Sequence, residues 1–360
     1  MRSSVSSQSS PTIERLKLRY AQNERAVALA FFAAGFVFDI LTVGRIDAWL
    51  TIAQQAAYLA VIGFALTQML LEEGAPPREG GWFRWRSAIV HFLLGALLNL
   101  YAIFFFKSSS LLVSFSFLAF LLLLVLANEM PRFKALGLPF KFALLGLCLL
   151  CFAAAVVPIF VGSIGLGVFL LSMLAGAAPL AALGWRLRAR GARRAILVPL
   201  GLVLLGFLTA YLFRVIPPVP LSIPYIGIYH GVERTAEGFR LSHERPWWRF
   251  WHNGDQRFAA QPGDRVYVFF RVFSPANFSD QVLLRWHRRL PGGWALQDTI
   301  PIRIVGGREA GFRGFGFKGN YEPGSWKIQV ETTDAREIGR IYFELEAAPA
   351  APRRLVEEPA

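Results

Sequence analysis

The residues in this 360-residue chain whose types could do chemistry are few: five histidines, two cysteines, an acid inside an apolar run and a knot of tryptophans. His230 and Glu233 give an HxxE spacing, but on a strand residues three apart point to opposite faces and cannot share an ion. Ser242 stands beside His243, yet nothing places a nucleophile, a base and an orienting acid together as acyl transfer requires. Gly306 and Gly307 read as a turn. Cys148 and Cys151 lie one helical turn apart within an apolar run, where they read as small apolar residues. No catalytic residue, metal site or cofactor is expected.

Two groups remain as candidates for transport or binding. Asp39 lies in the first apolar run, and His91, Gly95 and Asn99 fall at i, i+4 and i+8, one stripe of a helix. Such a stripe can line a conduit, but small and polar residues also hold helices together. The run RPWWRFW, Arg245 to Trp251, carries Trp247, Trp248 and Trp251 between arginines. It can pack inside the fold, rest on lipid headgroups or stack on a planar ligand such as a sugar ring.

The elements that must position these residues follow from composition. The chain is 54% hydrophobic and 17% charged, which places it among multi-span membrane proteins. Residues 1–220 hold 19 Lys and Arg against 8 Asp and Glu, and residues 221–360 hold 19 against 16. The net charge of +14 therefore belongs mainly to the apolar half. Cations retained on the cytoplasmic side explain it there, and nucleic acid is not an expected partner.

Seven apolar runs are expected to span, near Ala26–Gly44, Trp49–Leu71, Ala88–Phe106, Leu111–Ala127, Phe142–Phe160, Val161–Gly184 and Ala195–Phe213, with Pro158, Gly162 and Gly165 breaking the fifth from the sixth. With a cytoplasmic N-terminus, alternate loops hold 16 Lys and Arg on the inner side and 3 on the outer. That split predicts a cytoplasmic (inner) membrane protein with residues 225–346 in the periplasm or outside the cell. Residues 1–24 are expected to form a basic, disordered cytoplasmic segment, 25–215 the transmembrane domain, 216–224 an extended Pro-rich linker, and 347–360 a disordered tail.

From Tyr225 the apolar period changes to 2. Val266, Val268, Phe270 and Val272 share one face, as do Val282, Leu284 and Trp286, then Trp326, Ile328 and Val330, then Ile341, Phe343 and Leu345. Turn signals separate these runs, and strands are expected near 225–233, 238–243, 265–273, 281–288, 294–304, 312–317 and 325–346, the last region holding two. The fold class is a seven-helix membrane bundle followed by an all-β antiparallel immunoglobulin-like sandwich.

Two stretches, LLRWHRRLPGGWALQDTIPIRI and RGFGFKGNYEPGSWKIQVETTDAREIGRIYFELE, resemble the bacterial domain of unknown function 2914. The resemblance rests on Arg285, Trp286 and His287 in one strand, Gly324 and Trp326 opening the penultimate strand, Asp334 in an acidic turn, and Phe343 with Leu345 at the end. His287 follows the tryptophan where the family's histidine precedes it, so it inherits no role. The resemblance implies a small extracytoplasmic β domain on a membrane anchor and brings no activity. The expected function is a non-enzymatic membrane protein whose outer domain binds an envelope protein or glycan, with Trp247, Trp248, Trp251, Arg285 and Trp286 as binding candidates. The alternative is a transporter or channel component using Asp39, His91 and Asn99.

Overall fold

The computed structural model describes residues 44–73, 81–108, 111–130, 136–188, 193–249, 251–275, 278–306 and 311–360. They include the helices α1 (Trp49–Leu71), α2 (Gly81–Lys107), α3 (Leu111–Glu129), α4 (Leu138–Val161), α5 (Leu166–Arg186) and α6 (Val198–Leu212), the last entered through a π-helical turn at Arg193–Leu197. Five stretches, Trp49–Leu71, Trp85–Lys107, Leu138–Val161, Leu166–Arg186 and Arg193–Leu212, are long and apolar enough to cross a membrane. The expected first span, with Asp39, lies outside the described residues apart from Gly44.

Pro158 does not end its helix. α4 runs on to Val161, and the chain turns at Gly162, whose φ of 77° suits a residue without Cβ and whose N–H donates to the Pro158 carbonyl at 2.9 Å. α4 and α5 then pack closely at Gly176, where an added Cβ would stand 2.9 Å from the Leu149 carbonyl oxygen. Gly176→Ala is expected to cost about 1–2 kcal/mol as overpacking, read as a lower thermal midpoint of the full chain in detergent.

The second half folds into three sheets. β1 (Ser222–Tyr229), β5 (Val266–Phe273) and β8 (Phe312–Lys318) form one in the order β1-β5-β8. β4 (Arg257–Ala260), β6 (Ser279–Leu290), β7 (Gly293–Val305), β9 (Gly324–Thr332) and β10 (Glu337–Ala347) form a second in the order β4-β10-β9-β6-β7. β2 (Gly231–Arg234), β3 (Phe239–His243) and β11 (Val356–Pro359) form the third.

The first two sheets share one apolar core, built from the alternate residues of β5, β6, β9 and β10 that the period-2 pattern turned inward. A smaller cluster of Tyr229, Leu241 and Phe269 joins the opposite face of β5 to the third sheet. β5 is thus buried on both faces, which explains why RVYVFFRVF is nearly continuous in apolar residues.

Three expectations are corrected. The sheets are not purely antiparallel, because β4 pairs with β10 in parallel register from Arg257–Glu344 to Ala260–Ala347. The tail is not wholly without structure, because Val356–Pro359 adds an antiparallel strand to β3. The Pro-rich stretch is not an extended spacer: Ile216, Val219 and Leu221 are buried, and turn bonds run from Val219 N–H to Pro217 and from Leu221 N–H to Pro218. Proline fixes φ equally well in a turn and in an extended spacer, and burial of the apolar residues between the prolines selected the turn.

That turn seats the β domain on one end of the helices. Arg336, in the β9–β10 turn, donates to the carbonyls of Tyr211 at 2.9 Å and Ile216 at 3.0 Å. Its guanidinium lies 3.4 Å from the centroid of the Tyr211 ring. Asp334 accepts from Arg336 Nε at 2.8 Å, from the Tyr211 hydroxyl at 3.1 Å and from the Thr332 hydroxyl at 2.5 Å. Burial pushes the Asp334 carboxyl up, but these donors outweigh it and hold the group below its usual range. On the neighbouring helix ends, Ile164 N–H donates to Asp280 at 3.1 Å and Ser279 N–H to the Gly162 carbonyl at 3.0 Å. A partly open cavity of about 40 Å³ lies beside Tyr211 and Arg336.

Candidate functional site

Away from that junction, β3 leads into the loop that carries the tryptophans. β1 begins beside the helices at Ser222, and the six residues to Ile228 rise about 20 Å at strand geometry. At Ile228 the strand meets the far end of the loop: Ile228 bridges to Gly254, and its carbonyl accepts from Asp255 N–H at 2.7 Å. Gly254 has a φ of 63°, and any Cβ there would collide with the Ile228 carbonyl, so glycine is required. Arg245 closes the loop from within by donating to the carbonyls of Arg249 and His252.

The loop holds its rings outward. Trp247 is 90% exposed, Trp251 60% and Trp248 47%. Trp248 and Trp251 stand 6.1 Å apart between centroids, and the Arg249 guanidinium lies 4.8 Å over Trp248. This is an apolar and cationic surface on a braced turn, at the end of the β domain remote from the helices. A purely internal packing role does not fit that exposure. Trp247→Ala is expected to change the thermal midpoint by less than the equivalent of about 0.5 kcal/mol, because the ring supports little of the fold.

Beneath the loop lies a polar cluster. The Tyr225 and Tyr229 hydroxyls meet each other and the same Glu358 oxygen, which lies 3.0 and 2.8 Å from them, so that their two protons serve three contacts. Arg245 reaches the other Glu358 oxygen at 3.2 Å, and His243 Nε2 stands 3.5 Å from it. Next to this, His230 Nδ1 accepts from Arg353 at 2.8 Å, while its Nε2 faces Asp255 and Glu244, each at 3.6 Å. Asp255 accepts the Glu244 N–H at 2.9 Å, and Arg353 also pairs with Asp264 at 2.9 Å.

Burial sets the protonation of these groups. It pushes Asp255 up to about 6, the Glu244 N–H only partly offsetting it. Burial and the neighbouring Arg353 cation push His230 down to about 4. Burial lowers His243 against the pull of Glu358 and lifts Tyr225 to about 12, so both tyrosines remain donors. The cluster is a set of bonded pairs, and among the described residues no group of three or more His, Cys, Asp and Glu is placed to hold a metal.

The other expected site residues are scattered. Trp286 is no binding residue: it is buried in the core, edge-on to Phe343 at 6.4 Å. Arg285 points to the opposite face of β6 and pairs with Glu331 at 3.1 Å, so alternation along the strand separates the two neighbours. His91 is buried between helices, where the Asn128 side chain donates to its carbonyl at 2.9 Å and meets Nδ1 at 3.2 Å. Asn99, two turns further along α2, is half-buried. His91 and Asn128 thus join α2 to α3, the helix-gluing role.

The strand carrying Trp286, the Gly324–Trp326 opening of β9, the Asp334 turn and the Phe343–Leu345 end of β10 now stand together in one sheet and its turn. Residues 279–345 match the model of the family described as "Protein of unknown function (DUF2914)". In the DUF2914 segment the motif residues are structural: Trp326 stacks on Phe343 at 6.5 Å within the core, and Asp334 is part of the clamp on Tyr211. The tryptophan loop lies outside the segment. No curated protein matches the chain.

Among solved structures, the chain is similar to an immunoglobulin-like protein from Pseudomonas aeruginosa, at 12% identity over 36% of this chain and 98% of that one, with a TM-score of 0.22. A β-glucosidase from Listeria innocua matches at 9% identity over 26% of this chain and 15% of its own, with a TM-score of 0.19. An alkylpurine DNA glycosylase from Pseudomonas fluorescens matches at 11% identity over 74% and 72%, with a TM-score of 0.22. At these TM-scores none of the three defines a fold or an activity for this chain.

Proposed function

We propose that the chain is a seven-span protein of the cytoplasmic membrane that holds a non-catalytic β domain on the outer, periplasmic side. There the Trp247, Trp248 and Trp251 loop binds an envelope protein or glycan. The two larger sheets form a sandwich of the immunoglobulin type, and the β2-β3-β11 sheet adds a third layer on it.

The observation that carries this reading is which helix ends the β domain occupies. It sits on the C-terminal ends of α4 and α6 and the N-terminal end of α5, through Gly162, Ile164, Tyr211 and Ile216. The described loops at those ends are poor in cations, whereas the opposite ends carry Arg86, Lys141, Arg186, Arg188, Arg193 and Arg194 among the described residues. Retention of Lys and Arg in the cytoplasm then supports an outer β domain. Three exposed tryptophans on a braced loop support a partner there, since such rings supply large contact area at low entropic cost.

The test compares the full chain with the Trp247→Ala, Trp251→Ala double variant in nanodiscs, each presented to arrays of purified envelope glycans and, by crosslinking, to native membranes. The reading requires a ligand or crosslink of the wild-type chain that falls at least tenfold in the double variant. Equal binding by both chains would refute the loop as the contact.

A further inference from the structure

The polar cluster has a feature beyond partner binding by the tryptophan loop. Its central carboxylate, Glu358, comes from a strand of four residues laid along the free edge of β3. Glu358 occupies a receptor made entirely by other parts of the β domain: the hydroxyls of Tyr225 and Tyr229, the Arg245 guanidinium and His243 Nε2. Tyr229 and His243 are fully packed in, so the pocket has a fixed shape. Glu357, on the other face of the strand, lies 3.6 Å from Arg240, both side chains being more than half exposed.

The strand is held along one edge. Among the described strands β11 pairs with β3 alone, Ala360 exchanges backbone bonds with Phe239 and accepts from Arg313, and Val356 is 48% exposed. It is connected to β10 through a segment containing Pro349 and Pro352, fixed at Arg353 by Ala259, His230 and Asp264. The apolar core shared by the two larger sheets contains no residue of β11. A strand that contributes main-chain bonds to an edge and one carboxylate to a preformed pocket is the arrangement by which extended peptides are recognised. A short edge strand is also the element most readily exchanged for another.

We propose that the β3 edge with the Tyr225, Tyr229, His243 and Arg245 pocket is a receptor for an acidic extended segment of a partner protein, filled in this chain by its own residues 356–359. The partner's strand pairs antiparallel to β3 and places an Asp or Glu where Glu358 now lies. Because the resident strand is tethered, it competes at millimolar effective concentration, and a partner displaces it only by adding contacts elsewhere. This site adjoins the tryptophan loop through Arg245 but uses none of Trp247, Trp248 and Trp251, and it does not depend on which side of the membrane the domain occupies.

The probe is a fluorescein-labelled peptide, APRRLVEEPA, copied from residues 351–360, with a control peptide carrying Ala at the position of Glu358. Each is titrated by anisotropy against the full chain in detergent and against the full-length variants Glu358→Ala and Glu358→Gln, whose folding is checked by circular dichroism. The proposal predicts that the acidic peptide binds both variants at least tenfold more tightly than it binds the wild-type chain. It also predicts at least tenfold weaker binding of the control peptide to the variants. Equal affinity of the acidic peptide for all three chains, or equal affinity of the two peptides for the folded variants, would overturn it. A wild-type chain that forms dimers which the acidic peptide dissociates would show that a second copy supplies the strand, and would overturn the assignment to a partner protein.

Discussion

Replacing Arg336 with alanine is expected to lower the stability of the full chain by about 3–5 kcal/mol, the cost of leaving a buried charge without its partner. The Arg336 side chain is 7% exposed and serves Asp334 and two carbonyls of the α6 exit, while its plane covers the Tyr211 ring. Its loss leaves the Asp334 carboxylate with hydroxyl donors alone and takes the guanidinium from the Ile216 carbonyl, while the Tyr211 carbonyl keeps the Arg214 N–H. Lysine cannot restore the arrangement, because a single ammonium does not reproduce a planar fork that donates in three directions and stacks on a ring. Tyr211→Phe removes one hydroxyl donor and keeps the ring, so its expected cost is about 1 kcal/mol. Thermal unfolding in detergent, followed by tryptophan fluorescence, separates these outcomes. An Arg336→Ala chain within about 1 kcal/mol of wild type would show that the clamp does not hold the β domain to the helices.

The second large effect is a pH dependence in which Asp255 and His230 oppose each other. Asp255 has a folded pKa of about 6 against an ordinary 3.8, so it holds its proton more tightly when folded. Its contribution is fully present below about pH 4 and is lost as pH rises through 6. His230 has a folded pKa of about 4 against an ordinary 6.5, so the fold favours the neutral ring. Its contribution is present above pH 6.5 and is lost as pH falls toward 4. Each difference of about two is worth roughly 3 kcal/mol, with opposite sign over the same interval. The contributions of these two groups nearly cancel between pH 4 and 6.5.

Asp255→Asn removes one of the pair. The variant is expected to lose roughly 3 kcal/mol on going from pH 6.5 to pH 4, while His230→Gln loses stability in the other direction, as pH rises from 4 to 6. Denaturant titrations of the three full-length chains at pH 4, 5 and 6.5 check this. Parallel profiles for wild type and Asp255→Asn would show that the two groups are not set against each other.

The legible parts of the structure were those that repeat locally. Val266, Val268, Phe270 and Val272, and the matching positions of β6, β9 and β10, alternate because each strand has one face in the core, and a period of 2 is visible in any window of six residues. Five of the expected spanning runs were equally plain from length and hydropathy, while Leu111–Glu129 is a helix outside those five and the run from Ala26 lies outside the described residues apart from Gly44. The missed strands gain their partners from afar: RFAA is held by parallel pairing with β10, and VEEP by a pocket assembled from β1, β3 and the loop after it.

The same limit applied to the sites. Trp286 was already inward by alternation, and its place in the core follows from that rule; grouping it with Arg285 as a binding pair set aside the strand's own geometry. Trp247, Trp248 and Trp251 drew notice as a cluster, but only the Gly254–Ile228 contact fixes them at the end remote from the helices. For Asp334 and Arg336 the acidic turn was visible, whereas their partner Tyr211 sits at the end of an apolar helix 123 and 125 residues away. Polar residues at the edge of an otherwise apolar run, such as Tyr211, are the one signal that could have pointed to the clamp.

The most direct measurement is the side of the membrane on which the tryptophan loop lies. Trp247→Cys puts a thiol at a position 90% exposed, while Cys148 and Cys151 are buried in α4. Cells with a permeabilised outer envelope and an intact inner membrane are treated with a membrane-impermeant maleimide. An outer β domain predicts labelling of the Trp247→Cys chain before the inner membrane is broken and none of the wild-type chain. Labelling only after the inner membrane is opened would place the loop in the cytoplasm and contradict the proposed function.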